Sequence, residues 1–258
     1  MSLIIAAWTS EGIVMGSDSR ISFSSQINPQ IPINIQTGHF FDTQEKTFLC
    51  PNNCGISTCG AASMNGTNIS GFIHEFINNK IKPSTTVEET ASNLAKFISS
   101  LDSNAEIHFF VAGYDSSQEP AIPTVIKVIT GQNSSLQKIS NATGGATWDG
   151  EIETITRIIK PHYLCQGPIR SNVKIDNGET DLGDCLIFPL KQTTIYEENT
   201  IPWEYMTIQD AIDFVRYAIN TTIDTMRFAN VSKTVGGPID ILTISPIKAK
   251  WIAHKKLH

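Results

Sequence analysis

The chain has 258 residues, 40% of them hydrophobic and 17% charged, with a net charge of −6. That make-up suits one sizeable globular domain. The acidic balance, with no basic block interleaved with aromatics, argues against nucleic acid as a partner. No apolar run reaches the roughly eighteen residues that span a bilayer, and 3–8 is too short for a signal-peptide core. No membrane association and a cytoplasmic location are therefore expected. Five cysteines (Cys50, Cys54, Cys59, Cys165 and Cys185) are odd in number and fit a reducing compartment. The first three are spaced by three and four residues, with neither a CxxC pair nor a nearby histidine. No metal and no cofactor are expected, and buried strand cysteines are the better reading.

Residues 2–8 and 12–18 read as two strands around a tight turn, with Gly12 supplying backbone freedom. Residues 21–41 are polar and rich in Pro, Asn and Gln, predicting a long loop or irregular hairpin. Short strands follow at 46–50 and 55–59 around Pro51-Asn52-Asn53. The period then changes: Ile69, Phe72, Ile73, Phe76 and Ile77 recur at helical spacing. A second helix opens at Thr85-Thr86 with a capping-box pattern, and Pro83 separates the two.

Strands are expected again at 107–113, 125–130 and 136–141, then a helix over 149–160 stopped by Pro161. The acids Asp149, Glu151 and Glu153 read there as a charge bias at the helix N-terminus. Residues 162–206 have a mixed, Gly- and Pro-punctuated character, with strand-like pieces such as 184–190. The longest helix is expected over 207–227 and the last strand over 239–244. Lys248 to Lys256 read as a solvated tail. Helices grouped between blocks of hairpins predict an α+β domain, two antiparallel sheets covered by helical layers, spanning 1–258.

The segments Ser2–Ala7, Gly12–Arg20 (GIVMGSDSR), Lys46-Thr47-Phe48, Gly55–Gly60 (GISTCG), Phe110–Asp115 (FVAGYD), Thr143-Gly144-Gly145 and Gly236–Ile244 (GGPIDILTI) stand in a telling order. Together they resemble the proteasome β-type subunits of the N-terminal nucleophile (Ntn) hydrolases, and share features with the bacterial two-component ATP-dependent protease. The resemblance implies a four-layer αββα sandwich, a peptide or amide substrate, a homo-oligomer and an ATP-dependent unfoldase partner. It places Ser2 as the nucleophile, Asp18 as the acidic residue, Lys46 as the lysine, and Gly60 at the oxyanion hole. Arg20 matches the structural arginine, and against the family 21–41 and 162–206 stand as expected insertions in the single domain. Where the family has Ser-Gly-Ser, this chain has Thr143–Thr147, with Gly145 in the place of the first serine. Asp224 and Asn230 are both candidates for the downstream acid.

A small second residue permits removal of Met1, which would leave a hydroxyl and a free α-amine on Ser2. The chain opens directly on Met1-Ser2, so maturation is expected to rest on that removal alone. An α-amine titrates at about 7.7–8.0, so a usable fraction is unprotonated near neutrality. It can take the proton from the hydroxyl, which is a poor nucleophile without a base. Lys46 would lower the amine's pKa, and Asp18 would hold Lys46 in place. The Gly60 N–H would face the developing oxyanion. Two rivals stand beside this reading: an inactive assembly or binding module, and a non-peptide amidase on the same fold.

Overall fold

The computed structural model describes residues 2–25, 37–115, 121–140, 143–159 and 201–256. The chain divides into two units, 1–155 with 201–258, and 156–200. Only 156–159 of the second unit are among the described residues, so most of the expected 162–206 insertion lies outside them. The first unit is a mixed α+β structure built on antiparallel sheets.

Strands β1 (Leu3–Trp8) and β2 (Ile13–Ser17) form the predicted opening hairpin, in register from Ile4 opposite Ser17 to Trp8 opposite Ile13. Its turn is closed by Thr9 N–H donating to the Gly12 carbonyl at 2.9 Å. Every residue of both strands is buried. That burial on both faces explains why they read as nearly continuous apolar runs. Within 21–41, where an insertion is expected, a second hairpin forms from β3 (Ile21–Ser25) and β4 (Thr37–Phe41). Strands β5 (Thr47–Leu49) and β6 (Gly55–Gly60) pair next, followed by the small hairpin β7 (Ser63–Met64) and β8 (Thr67–Asn68).

Helix α1 spans Ile69–Lys80, its first turn capped by the Asn68 side chain. Helix α2 spans Val87–Leu101 and begins with a full capping box between Thr86 and Glu89, two orphan donors satisfied reciprocally. Strands β9 (Ile107–Tyr114), β10 (Pro123–Ile129) and β11 (Ser135–Lys138) then form a meander.

Two departures from expectation follow. Residues 145–150 form strand β12 (Gly145–Gly150) along β1, and helix α3 begins only at Glu153 and ends at Ile159. The 145–150 stretch has neither clear alternation nor an apolar run, so pattern alone missed it. Helix α4 (Ile208–Phe228) follows a short 3₁₀ turn at Trp203–Tyr205, and strand β13 (Asp240–Ile244) matches prediction. The supposed tail carries a further edge strand, β14 (Ala249–Ala253), with Lys250 and Ile252 outward, which the flanking lysines hid.

The first sheet runs β12-β1-β2-β13-β14 and the second β11-β10-β9-β6-β5. Side chains of the two sheets meet: Ile4, Ala6 and Met15 pack with Phe110, Ala112 and Val125. Against the other face of the second sheet, Ile73, Phe76, Leu94 and Ile98 cover Phe109, Val111 and Ile126. Each such side chain contributes about 1.5–3 kcal/mol by leaving water. Helix α4 seats on the first sheet at Gly16, where a Cβ would stand 2.3 Å from Val215 Cγ1. A glycine is required there for close approach. Among the described residues, no helix is long and apolar enough to cross a membrane.

Candidate active site

The end of β2 delivers Asp18 to the interior, where it is fully buried. Its Oδ1 accepts from Leu3 N–H at 3.0 Å and from the Lys46 ammonium at 2.7 Å. Its Oδ2 accepts from Arg20 N–H at 3.1 Å and Gly236 N–H at 3.0 Å. A carboxylate so surrounded has most of its acceptor capacity used, which compensates its burial. Lys46, just before β5, also donates to the Arg20 carbonyl at 2.5 Å. Burial lowers the Lys46 pKa, and the Asp18 charge and hydrogen bond offset only part of that effect.

Arg20 turns the other way. It makes a two-pronged pair with Asp42, both bonds at 2.7 Å, and lies over the Phe40 ring at 3.9 Å. The hydrogen bond to Asp42 raises the Arg20 pKa and correspondingly lowers that of Asp42. A Cβ on Gly236 would meet the guanidinium at 2.5 Å. Arg20 therefore braces the loop before β13.

Ser2, Arg20, Lys46, Thr58, Cys59 and Gly60 are among the residues lining one cavity of about 120 Å³. Gly60 ends β6 at φ +104°, a conformation that favours glycine, and is exposed at the cavity's edge. Ser2, Lys46 and Gly60 are thus brought to one place, with Asp18 behind them.

Gly145 and Asp224 are not brought there. In the β1–β12 ladder Gly145 pairs with Trp8, at the end of β1 away from Ser2. Asp224 is exposed on α4, and Asn230 is exposed beyond it. The segment that reaches Ser2 is Asp149-Gly150-Glu151. Glu151 N–H donates to the Ser2 carbonyl at 2.7 Å. Gly150 has φ +92°, and a Cβ there would fall 1.8 Å from the Ser2 oxygen. The Glu151 carboxylate in turn accepts from the Thr234 hydroxyl at 3.5 Å. The reading of these acids as helix-end charges therefore holds only for Glu153, which is in the first turn of α3. A glycine held between two acids is the available signal, but beside an expected helix start it reads as a charge bias instead.

Asp149 faces the second sheet. Its Oδ2 lies 2.9 Å from His108 Nδ1 and 2.5 Å from the Lys127 ammonium. Burial works to raise its pKa, but bonds from Lys127, the Gly150 N–H and His108 outweigh it and hold the carboxyl below its usual value. Ligand atoms of Cys59, His108 and Asp149 lie within 4.8 Å of one another, a donor set of zinc type. However, the Lys127 ammonium already neutralises Asp149, and both Lys127 and Lys46 act electrostatically on the Cys59 thiol. Two fixed ammonium groups oppose a divalent cation there. Burial pushes the Cys59 thiol well up, so it is an inert neighbour rather than a nucleophile. Cys50 and Cys54 are also buried and free, and burial pushes Cys54 up to about 12.

No family model matches the chain, and no curated protein matches it. Solved structures do. Anbu (ancestral beta-subunit) from Yersinia bercovieri is similar at a TM-score of 0.53 and 12% identity, covering 98% of this chain and 87% of that one. An Anbu (Gly-1) mutant from Hyphomicrobium sp. strain MC1 is similar at a TM-score of 0.58, with the same identity and coverage. The chain has a proteasome-like β-subunit fold. The motif-based resemblance is corrected on one point. Both of these similar structures are Anbu proteins rather than the proteasome β-type subunits the motifs suggested, and at 12% identity the likeness is one of fold alone.

Proposed function

We propose that the protein hydrolyses amide bonds, peptides foremost, using Ser2 as an N-terminal nucleophile once Met1 is removed. One observation carries the reading: a single oxygen, Asp18 Oδ1, holds both the Leu3 N–H and the Lys46 ammonium. The lysine is thereby tied to the residue that follows the nucleophile, beside the cavity that Ser2 lines.

In this scheme the Ser2 hydroxyl oxygen attacks the amide carbon while its proton passes to the free α-amine. The Lys46 ammonium lowers the pKa of that amine, keeping it available as a base near neutral pH. The Gly60 N–H stabilises the oxyanion. Collapse breaks the C–N bond, the amine returns its proton to the leaving nitrogen, and an acyl ester remains on Ser2. Water then adds to the ester with the same amine as base, and the acid is released. Around this site we read the packing as a four-layer αββα sandwich, and we expect copies of the chain to self-associate.

The test is mass spectrometry of the N-terminal peptide before and after treatment with a β-lactone. The expected result is a chain beginning at Ser2 that carries the acyl adduct on that residue. An intact Met1 without an adduct overturns the reading and leaves the inactive assembly module in its place. Assaying acyl-amino acids and lactams beside peptides separates a peptidase from a non-peptide amidase.

A further inference from the structure

We propose that Asp149, His108 and Lys127 form a clasp between the two sheets that positions Ser2 for reaction. The inference rests on the nucleophile reading above. Asp149 lies on β12 of the first sheet, paired with Ile4. His108 and Lys127 lie on β9 and β10 of the second. Phe110, opposite Lys127 and two residues from His108, packs between the sheets, so both side chains share that face.

The two carboxylate oxygens divide the task. Oδ2 takes His108 at 2.9 Å and Lys127 at 2.5 Å, fixing the carboxylate to the second sheet. Oδ1 accepts from the Gly150 N–H at 2.8 Å, fixing the left-handed turn at that glycine. That turn sets the Glu151 N–H on the Ser2 carbonyl at 2.7 Å, with the Ser2 oxygen against Gly150. Cys59 Cβ stands 3.4 Å from the same Gly150 Cβ position, filling the space behind. Displacing Asp149 therefore moves the backbone on which the reacting residue rests. None of the three side chains needs to touch substrate; they act through Gly150 and Glu151 as positioning residues.

The experiment compares the full chain with Lys127→Met, Lys127→Arg and His108→Leu, reading two quantities. One is hydrogen exchange at the Glu151 amide; the other is the rate of Ser2 acylation by a β-lactone at saturating and limiting concentrations. Losing a charge-assisted bond should speed Glu151 exchange and slow saturated acylation by about tenfold in Lys127→Met. The half-saturating concentration should stay unchanged, and Lys127→Arg should restore both values. His108→Leu, which removes the other donor, carries the same comparison if Lys127→Met does not fold. Unchanged Glu151 exchange in a folded Lys127→Met or His108→Leu protein overturns the clasp. If no protein is acylated, wild type included, the nucleophile reading fails, while the exchange rates still decide whether the clasp holds the turn.

Discussion

Lys46 and Asp18 meet at 2.7 Å with both side chains almost wholly shielded from water. A pair so placed is not a surface decoration: removing one partner leaves the other charged and buried. Lys46→Met should therefore abolish Ser2 acylation and also lower stability, by about 3–5 kcal/mol. Sequence reasoning alone would treat Lys46→Ala as harmless to the fold, because nothing in the spacing reveals the burial. Ser2→Ala should differ, losing the adduct while the stability measured by urea unfolding changes by less than about 0.5 kcal/mol. A Lys46→Met protein of full stability would show that Asp18 is satisfied by its backbone donors alone.

Gly150 offers the sharpest steric test. Its backbone combines φ +92° with a Cβ position 1.8 Å from the Ser2 carbonyl oxygen. Gly150→Ala should cost about 1–3 kcal/mol for the left-handed backbone alone, before the clash is counted. The clash can be relieved only by moving Ser2 or the turn, so acylation should fall with stability. Gly66 is a control, since it is also left-handed but meets nothing within 4 Å. Gly66→Ala should lose the backbone share of stability and keep the reaction rate.

Much of this arrangement was legible in the chain, for physical reasons that also mark where reading stopped. The hairpin of β1 and β2, helix α2 with its Thr86–Glu89 box, and the long α4 announce themselves through local pattern and caps. Ser2, Lys46 and Gly60 were found by their place among ordered motifs, and they do line one cavity. Gly145 was misplaced because matching a Gly-rich stretch gives no strand register, and a shift of five residues along β12 separates Gly145 from Gly150. His108, Lys127 and Asp149 come from three strands in two sheets, so their meeting has no sequence spacing at all. Long-range pairing of this kind emerges only when both sheets are formed.

Acid stability should report the same clasp. The Asp149 carboxyl titrates below its ordinary value of 3.8 in the folded protein, as does Asp42 beside Arg20. For a carboxyl with a lowered folded pKa, the unfolded chain binds more protons as pH falls. Its stabilising contribution is complete above about 3.8 and is lost as pH drops through the folded value. Asp149→Asn should therefore be less stable than wild type near neutrality, with the gap closing on the acid side. Urea midpoints measured from about pH 6 down to pH 2.5 give the comparison. A gap that stays constant across that range would mean Asp149 gains nothing from its charge.

The lysines of the C-terminal segment look dispensable, but one of them is tied to the interior. Asp240 is fully buried on β13, directly opposite Ser17. Its Oδ1 accepts the Lys255 N–H at 2.8 Å, and the Lys255 ammonium pairs with its Oδ2. His254 Nδ1 stands 3.5 Å from Oδ1. Lys255 also acts on Lys46, helping to lower its pKa. The tail thus supplies a counter-charge to the interior, close to the proposed machinery. Lys255→Met should cost about 3–5 kcal/mol, the penalty for stranding a buried carboxylate. Lys256→Met, one residue on, should change stability by less than about 0.5 kcal/mol. Equal small effects from both would return the segment to the status of a solvated tail, whereas a large difference would make residue 255 part of the fold that carries Ser2.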